Sequence, residues 1–497
     1  MAGRLLAQAR ARMRPELVVG VVFVGGMFMT VMDITVVNTA IPTIGRQFHV
    51  PNSSVAWTAT AYMLSLAMWI PVSGWIGDRF GAKRVILFAI AMFTFGSGCC
   101  AAAGSMAWLV LARVLQGVGG GMLQPVGMAL LFRTFPPERR ARASQILIVP
   151  TAVAPALGPI VGGLLVEHAS WRWVFLINLP VGLLAFTFGA LFLAHQPQAS
   201  PGRFDVPGFL LGGPGLALLL YGISQGPIDG WGSARVAVAT ASGVVLLGVL
   251  VLVELRAAQP MLDLRLLRNR LYLDCTLVGV VGFGAFLGTL FIVPLYLQEA
   301  RHLSALTSGV TTFPEALGVA LSTQVAGRLY PRLGPRRLQV GGLVWLAAIL
   351  AAASTSFGGG TSLWIVRVFM FGMGTGMAYL FISQQAARFA TISPADTGRA
   401  TALAAAVQQA SSAVGIAVLT TVLASRTGRA RLPDPADFHP VFLAAAGMAL
   451  AGALVALRIR DRDAAATMAP RRRALRGAEP AGAAGVTVPA PVTQGPR

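Results

Sequence analysis

An acid held inside a long apolar run can load and release a proton where the surrounding residues cannot. Asp33 stands in "MDITVVNTAIP" (32–42), within an apolar stretch that begins near Leu17, and Glu315 stands in "TTFPEALGV" (311–319), within another. Two arginines, Arg113 and Arg367, are placed in the same way. All five histidines fall in loops or at the ends of apolar stretches, so a proton crossing the middle has only carboxylates to carry it. Low dielectric favours a neutral carboxyl and a nearby guanidinium favours a charged one, so an acid facing a water-filled cavity between these influences can change charge near neutral pH. At 1.5 Å per helical residue, Asp33 lies about 16 Å from the outer end of its helix and Arg113 about 12 Å from that of its own. For Glu315 and Arg367 the figures are about 15 Å and 9 Å. The four charges are therefore expected on one level, with Asp33, near Arg113, able to load and unload a proton. The alternative is a static ion pair that joins two helices.

Glu315 follows Pro314, which removes a backbone donor and kinks a helix, turning the acid toward an external vestibule. There it would bind a cationic substrate or act as a second proton site. Arg367 repeats the position of Arg113, but its half has no counterpart of Asp33, because 33 plus 254 is Leu287. Arg367 reads as a packing or anion-attracting residue. With Gln116, three residues after Arg113, these two complete the candidates for a substrate or second proton site.

The elements that must position these groups follow from composition. The chain has 497 residues, 55% of them apolar and only 11% charged, with 57 glycines, which leaves too little polar surface for a soluble fold. A span needs roughly 20 apolar residues, and about fourteen stretches between 17–43 and 439–458 meet that length or nearly so. The expected fold is an all-α integral membrane protein. Arginines precede the first stretch, but it is too long for a signal peptide and reads as a retained span. Cys99, Cys100 and Cys275 lie within spans and suggest neither a disulfide framework nor a zinc site. The net charge of +21 does not point to nucleic acid, since most of the 39 Lys and Arg fall on one side once both termini are placed in the cytoplasm. The external "RTGRARLPD" (426–434) goes against that bias. Residues 1–16 form a cytoplasmic N-terminal tail. Residues 462–497, rich in Ala, Pro and Gly without periodicity, are expected to be disordered.

An internal repeat organises the spans. "GDRFGAKRV" (77–85) matches "YPRLGPRRL" (330–338), with Arg79 and Arg332 displaced by 332 minus 79, or 253. "ARVLQGVGGGM" (112–122) matches "VRVFMFGMGTGM" (366–377), with Arg113 and Arg367 displaced by 254. Two six-helix bundles, 17–193 and 271–458, are thus expected around an inserted helix pair, 206–256, in the manner of secondary transporters. In the first loop Gly74 permits close helix packing, and Asp78, four residues on, can face the positive N-terminus of the span 400–425 and latch an inner gate. Gly81 lies in the turn, and Arg79, Lys83 and Arg84 can be read as positive-inside determinants, which is the larger part of the reading for Lys83 and Arg84. In "VPTAVAPALGPIVGG" (149–163), Pro155, Gly158, Pro159, Gly162 and Gly163 predict a bent, tightly packed helix.

Several of these stretches together resemble the major facilitator superfamily, specifically its fourteen-span drug/proton antiporters. "GWIGDRFGAKR" (74–84) resembles the loop between the second and third helices, and "LARVLQGVGGGM" (111–122) the arginine motif of the fourth. "APALGPIVGG" (154–163) is similar to the antiporter motif of the fifth, with Ala154 where that motif usually begins with glycine. "MDITVVNTAIP", "WRWVFLINLP" (171–180) and "PMLDLRLLRNR" (260–270) also resemble the fourteen-span group. The resemblance implies a proton-coupled exporter of amphipathic drug-like compounds, working by alternating access in the cell (inner) membrane. It implies Arg113 as a proton-coupling residue, the proton gradient in place of any cofactor, and leaves open an accessory periplasmic protein. An importer or facilitator of the same fold for a specific metabolite is the alternative. An enzyme is disfavoured, because the sequence has no His-rich metal site, supported nucleophile or nucleotide loop.

Overall fold

The computed structural model describes residues 13–135 except 51, 153–194 except 155, 156 and 159, 204–257, 260–427 except 394, and 433–468. These form α1 (Pro15–Phe48), α2 (Asn52–Phe80), α3 (Ala82–Ala101), α4 (Met106–Thr134), α5 (160–168) and α6 (Asn178–Phe192). An inserted pair follows, α7 (Val206–Asp229) and α8 (Ala234–Arg256), and then α9 (Arg270–Leu295), α10 (Ala305–Thr312), α11 (Pro314–Ser356), α12 (Leu363–Arg388), α13 (Thr397–Thr427) and α14 (His439–Ala456). Among the described residues twelve helical stretches are long and apolar enough to cross a membrane. The face on which α1 begins is called the lower face below.

One of the twelve, Leu306–Ser356, holds two expected spans, 306–330 and 337–357. They are separated at Gly334, whose φ of 77° and ψ of 168° lie outside the helical region. Gly318, before this break, abuts Phe371 of α12, and Ile349, after it, abuts the neighbouring Gly372. The chain therefore doubles back at Gly334. Gly81, which opens α3, has a φ of 87°, a conformation that glycine adopts without a Cβ clash. The two turns are 334 minus 81, or 253, residues apart, the displacement of the sequence repeat. Most of the expected fifth span, 143–167, lies outside the described residues.

Lipid provides little hydrophobic drive for helices to associate, so they pack through small residues that let backbones approach. In α4 the glycines serve this end. A Cβ on Gly119 would stand 2.5 Å from the Ala89 carbonyl oxygen of α3, and one on Gly121 would stand 2.6 Å from that of Leu66 on α2. This wedges α4 between α2 and α3 and fixes the height of Arg113 and Gln116.

The C-terminal half has its own core, with Tyr296, Tyr330, Phe357 and Phe442 buried in it. The core of the N-terminal half takes in Ala400 and Ala402 to Ala406 of α13. The inserted pair is a hairpin in which Gly243 lies against Leu219. Its α7 runs along α2, with Trp69 and Phe209 rings 5.9 Å apart and Trp57 and Tyr221 also 5.9 Å apart. Beyond α7, Trp231 Nε1 donates to Thr421 Oγ1 of α13 at 3.1 Å, so the pair lies along the seam between the halves. Residues 462–468, placed in the disordered tail from sequence, form short helical turns instead. Ala464 is buried, and Thr467 shares a 2.7 Å hydrogen bond with Tyr330. Tail residues 469–497 lie outside the described residues.

Candidate functional site

The first-helix acid is at the centre of a buried polar network. Arg113 Nη1 donates to Asp33 Oδ2 at 2.5 Å, and both residues are only 1% exposed. Asp33 Oδ1 accepts from Gln116 Nε2 at 3.0 Å and from Asn178 Nδ2 at 3.3 Å. The carboxylate thus has three donors, which is what an ionised acid needs when water is excluded. Arg113 also donates to Gln116 Oε1 at 2.7 Å and, through Nε, to the Thr58 carbonyl at 3.1 Å. Its guanidinium lies 4.3 Å from the centre of the Tyr62 ring, a cation–π contact, and the buried Tyr62 hydroxyl has no hydrogen-bond partner among the described residues. Asn178 also donates to Ser97 Oγ at 3.1 Å, and Ser97 donates to the Phe175 carbonyl at 2.8 Å.

Five helices are therefore joined in one network around the carboxylate, α1 through Asp33, α4 through Arg113 and Gln116 and α6 through Asn178 directly, and α2 (Tyr62, Thr58) and α3 (Ser97) through Arg113 and Asn178. Between α1 and α5 no bulk fits. A Cβ on Gly158 would collide with Thr35 Oγ1, and one on Gly162 would collide with Thr39 Oγ1 and stand 3.1 Å from the Val36 carbonyl. A Cβ on Gly163 would have open space. Pro155 and Pro159 lie outside the described residues.

The C-terminal half does not repeat this arrangement. Glu315 is buried in the first turn of α11, just past Phe313, whose backbone between α10 and α11 stays in the helical region, and makes no ion pair with Arg367. The guanidinium of Arg367 lies over Trp364 at 4.6 Å, a ring that is 71% exposed, and its Nε has no hydrogen-bond partner. The expected level of four charges thus contains one closed pair, Asp33 and Arg113, and two separate groups.

At the lower face the halves touch. Arg133 Nη2 donates to Asp78 Oδ1 at 2.5 Å, and the Asp78 carboxylate is set against the first turn of α13, where a Cβ on Gly398 would stand 2.7 Å from Oδ2. A Cβ on Gly74 would be 2.6 Å from the Gly398 carbonyl, so glycine at both positions is what lets α2 and α13 meet. Beside this contact the Phe132 and Phe389 rings are 4.7 Å apart across the two halves, both buried. Lys83 is not the exposed determinant expected from sequence. It is buried, and its Nζ donates to the carbonyls of Ala190 at 3.1 Å and Leu193 at 2.5 Å, at the end of α6. Arg79 and Arg84 are exposed.

Sequence reasoning missed Asn178, Ser97, Arg133 and the two phenylalanines. Asn178 offered a signal, an amide inside "WRWVFLINLP", a stretch otherwise read only as a family likeness. It also missed Arg388, which is buried with its Nε unpartnered beside Gly279, near Gln384 and Tyr272.

The comparisons agree with this architecture. The family model of the Major Facilitator Superfamily matches residues 23–416 and 316–493. A "Multidrug resistance protein B homolog" of Mycobacterium tuberculosis is 36% identical over 401 residues, covering 80% of this chain and 74% of the relative. The "Tetracenomycin C resistance and export protein" of Streptomyces glaucescens is 34% identical over 408 residues, covering 81% of this chain and 75% of the relative. Among solved structures, the human organic anion transporter MFSD10 aligns with a TM-score of 0.65 at 15% identity, over 89% of this chain and all (100%) of that one. The proton:xylose symporter XylE aligns with a TM-score of 0.63 at 16% identity, over 88% of this chain and 94% of its own. With a family model spanning most of its length, relatives above 30% identity over four-fifths of it and a set of membrane-crossing helices, this chain belongs to the Major Facilitator Superfamily and is a multi-pass integral membrane protein.

Proposed function

We propose that this protein is a proton-coupled exporter of amphipathic drug-like compounds, working by alternating access in the cell membrane with both termini and the lower face in the cytoplasm. The observation that carries the reading is the buried network around Asp33, which joins five helices of one half. Protonation of Asp33 removes the charge that Arg113, Gln116 and Asn178 are arranged around, so taking up or giving up a proton changes how those helices pack. Contact between the halves at Asp78, Gly398, Phe132 and Phe389 closes the cytoplasmic side. A proton arriving from outside would neutralise Asp33, weaken the network and favour opening inward. Its release to the cytoplasm would restore the pair, and the outward-facing state would let the substrate go. The proton gradient is the energy source, and no cofactor enters the cycle. Likeness to multidrug resistance and export proteins supports a drug-like substrate. Glu315, a buried acid without an ion-pair partner among the described residues, would favour cationic substrates.

The test is transport by purified protein in liposomes. Asp33→Asn keeps the size and hydrogen-bonding capacity of the side chain, and it should insert and fold but show no uphill export on a pH gradient and no proton release on substrate addition. Uphill pumping by that variant would make Asp33 a structural partner of Arg113 and leave Glu315 as the leading proton carrier. Glu315→Gln should weaken transport of cationic dyes more than of neutral ones, whereas an equal loss for both would assign Glu315 to the proton path or to folding.

A further inference from the structure

The turn at Gly334 meets the segment after α14 around a cavity of about 490 Å³, lined by Arg336, Ile459, Arg460, Asp461 and Arg462. Its charges are three guanidiniums and one carboxylate. The carboxylate is already engaged, since Asp461 Oδ1 accepts from the Arg336 backbone amide at 2.9 Å and the group presses on Gly334. Arg462 makes only a long contact, 3.6 Å from its Nε to Asp463, with its side chain 73% exposed, and such a contact binds weakly. Arg336 and Arg460 make no ion pair among the described residues. The cavity is therefore left with an excess of positive charge from planar forks suited to phosphate oxygens.

Its depth points to the source of the phosphate. The apolar run of α14 stops at Ala456, Ile459 is still buried, and Arg460 and Arg462 follow four and six residues after the helix end, at the level of lipid headgroups. We propose that this cavity binds the phosphate of an anionic phospholipid from the inner leaflet, joining Arg336 on the second arm of α11 to Arg460 and Arg462. The inference rests on the cytoplasmic placement of the lower face proposed above, but on neither proton coupling nor drug transport. A lipid is favoured over free phosphate because its chains hold the headgroup beside an open cavity at high local concentration.

The experiment follows thermal unfolding of the full-length protein in detergent with added phosphatidylglycerol, phosphatidylcholine or inorganic phosphate. Phosphatidylglycerol should raise the midpoint by several degrees and phosphatidylcholine should not. The triple variant R336Q/R460Q/R462Q should lose that shift, while R336K/R460K/R462K should keep part of it. If the triple glutamine variant does not fold, R460Q/R462Q carries the same comparison. An equal shift in the glutamine variant, or an equal shift with phosphatidylcholine, overturns the site. A full shift with inorganic phosphate alone overturns the lipid assignment. Because no gradient or substrate is used, failure here is distinguishable from failure of the transport reading.

Discussion

At the scale of single residues, Arg113 and Asp33 depend on one another more than a surface pair would, because neither has water to fall back on. Arg113→Ala leaves a buried carboxylate with two amide donors and no counter-charge, and breaking such a pair costs about 3–5 kcal/mol. The expected result is a large fall in the unfolding midpoint. The double variant Asp33→Asn/Arg113→Gln should recover most of it, since it leaves no lone charge. If both variants unfold alike, the pair is not the source of the stability. Lys83 gives a second case. Lys83→Met removes a charged donor from the carbonyls of Ala190 and Leu193, and a hydrogen bond to a charged group is worth about 1.5–3 kcal/mol. A loss of that size in thermal unfolding is expected, whereas a residue that only set topology would leave the midpoint unchanged.

At the scale of elements, the lower face closes through a polar contact and an apolar one. The polar contact is Asp78 between Arg133 and the start of α13, where an acid near a helix N-terminus contributes about 0.3–1 kcal/mol, up to about 2 when partly buried. Asp78→Asn should therefore lower turnover while leaving substrate affinity close to normal, and an equal loss of both would argue against a gate. The apolar contact is Phe132 against Phe389. An aromatic pair is worth about 0.5–1.5 kcal/mol beyond its buried area, so Phe389→Ala should shift the closed–open balance by at least roughly twofold to thirteenfold. In liposomes the expected sign is a raised proton leak without substrate. A tight membrane in that variant would show that the rings pack without sealing. Gly74→Ala acts on the same closure, because its Cβ would meet the Gly398 backbone, which cannot move aside as a side chain can. A cysteine introduced at Ala402 in a cysteine-free background should then react several times faster with an impermeant maleimide.

At the scale of the whole molecule, the C-terminal core is self-contained, while the N-terminal core borrows the first turns of α13. The inserted α7 lies on the seam and touches both α2 and α13. Co-expressed fragments divided between α8 and α9 should consequently co-purify, held by the packing of α13 on α2, and the N-terminal fragment alone should be the less stable in detergent. Fragments that never associate would mean that chain continuity, and not this packing, holds the halves together.

The sequence by itself determined the all-helical membrane class, because an apolar run of span length has few other ways to satisfy its backbone. It determined the repeat as well, since Gly81 and Gly334 stand at the same displacement as the arginines beside them, and the structure places both glycines at positive φ. It also singled out Asp33 and Arg113, because charge in an apolar run is costly wherever it faces. Only the tertiary structure decided which charges meet. Helix periodicity gives the height of a side chain but not its direction around the axis, so Glu315 and Arg367 were legible at one level yet point to different surroundings. The same limit hid Asn178 and Ser97, whose polarity gains meaning only when α3 and α6 bring them to Asp33. It hid Lys83 too, because a lysine in a loop motif reads as exposed until the end of another helix is folded over it.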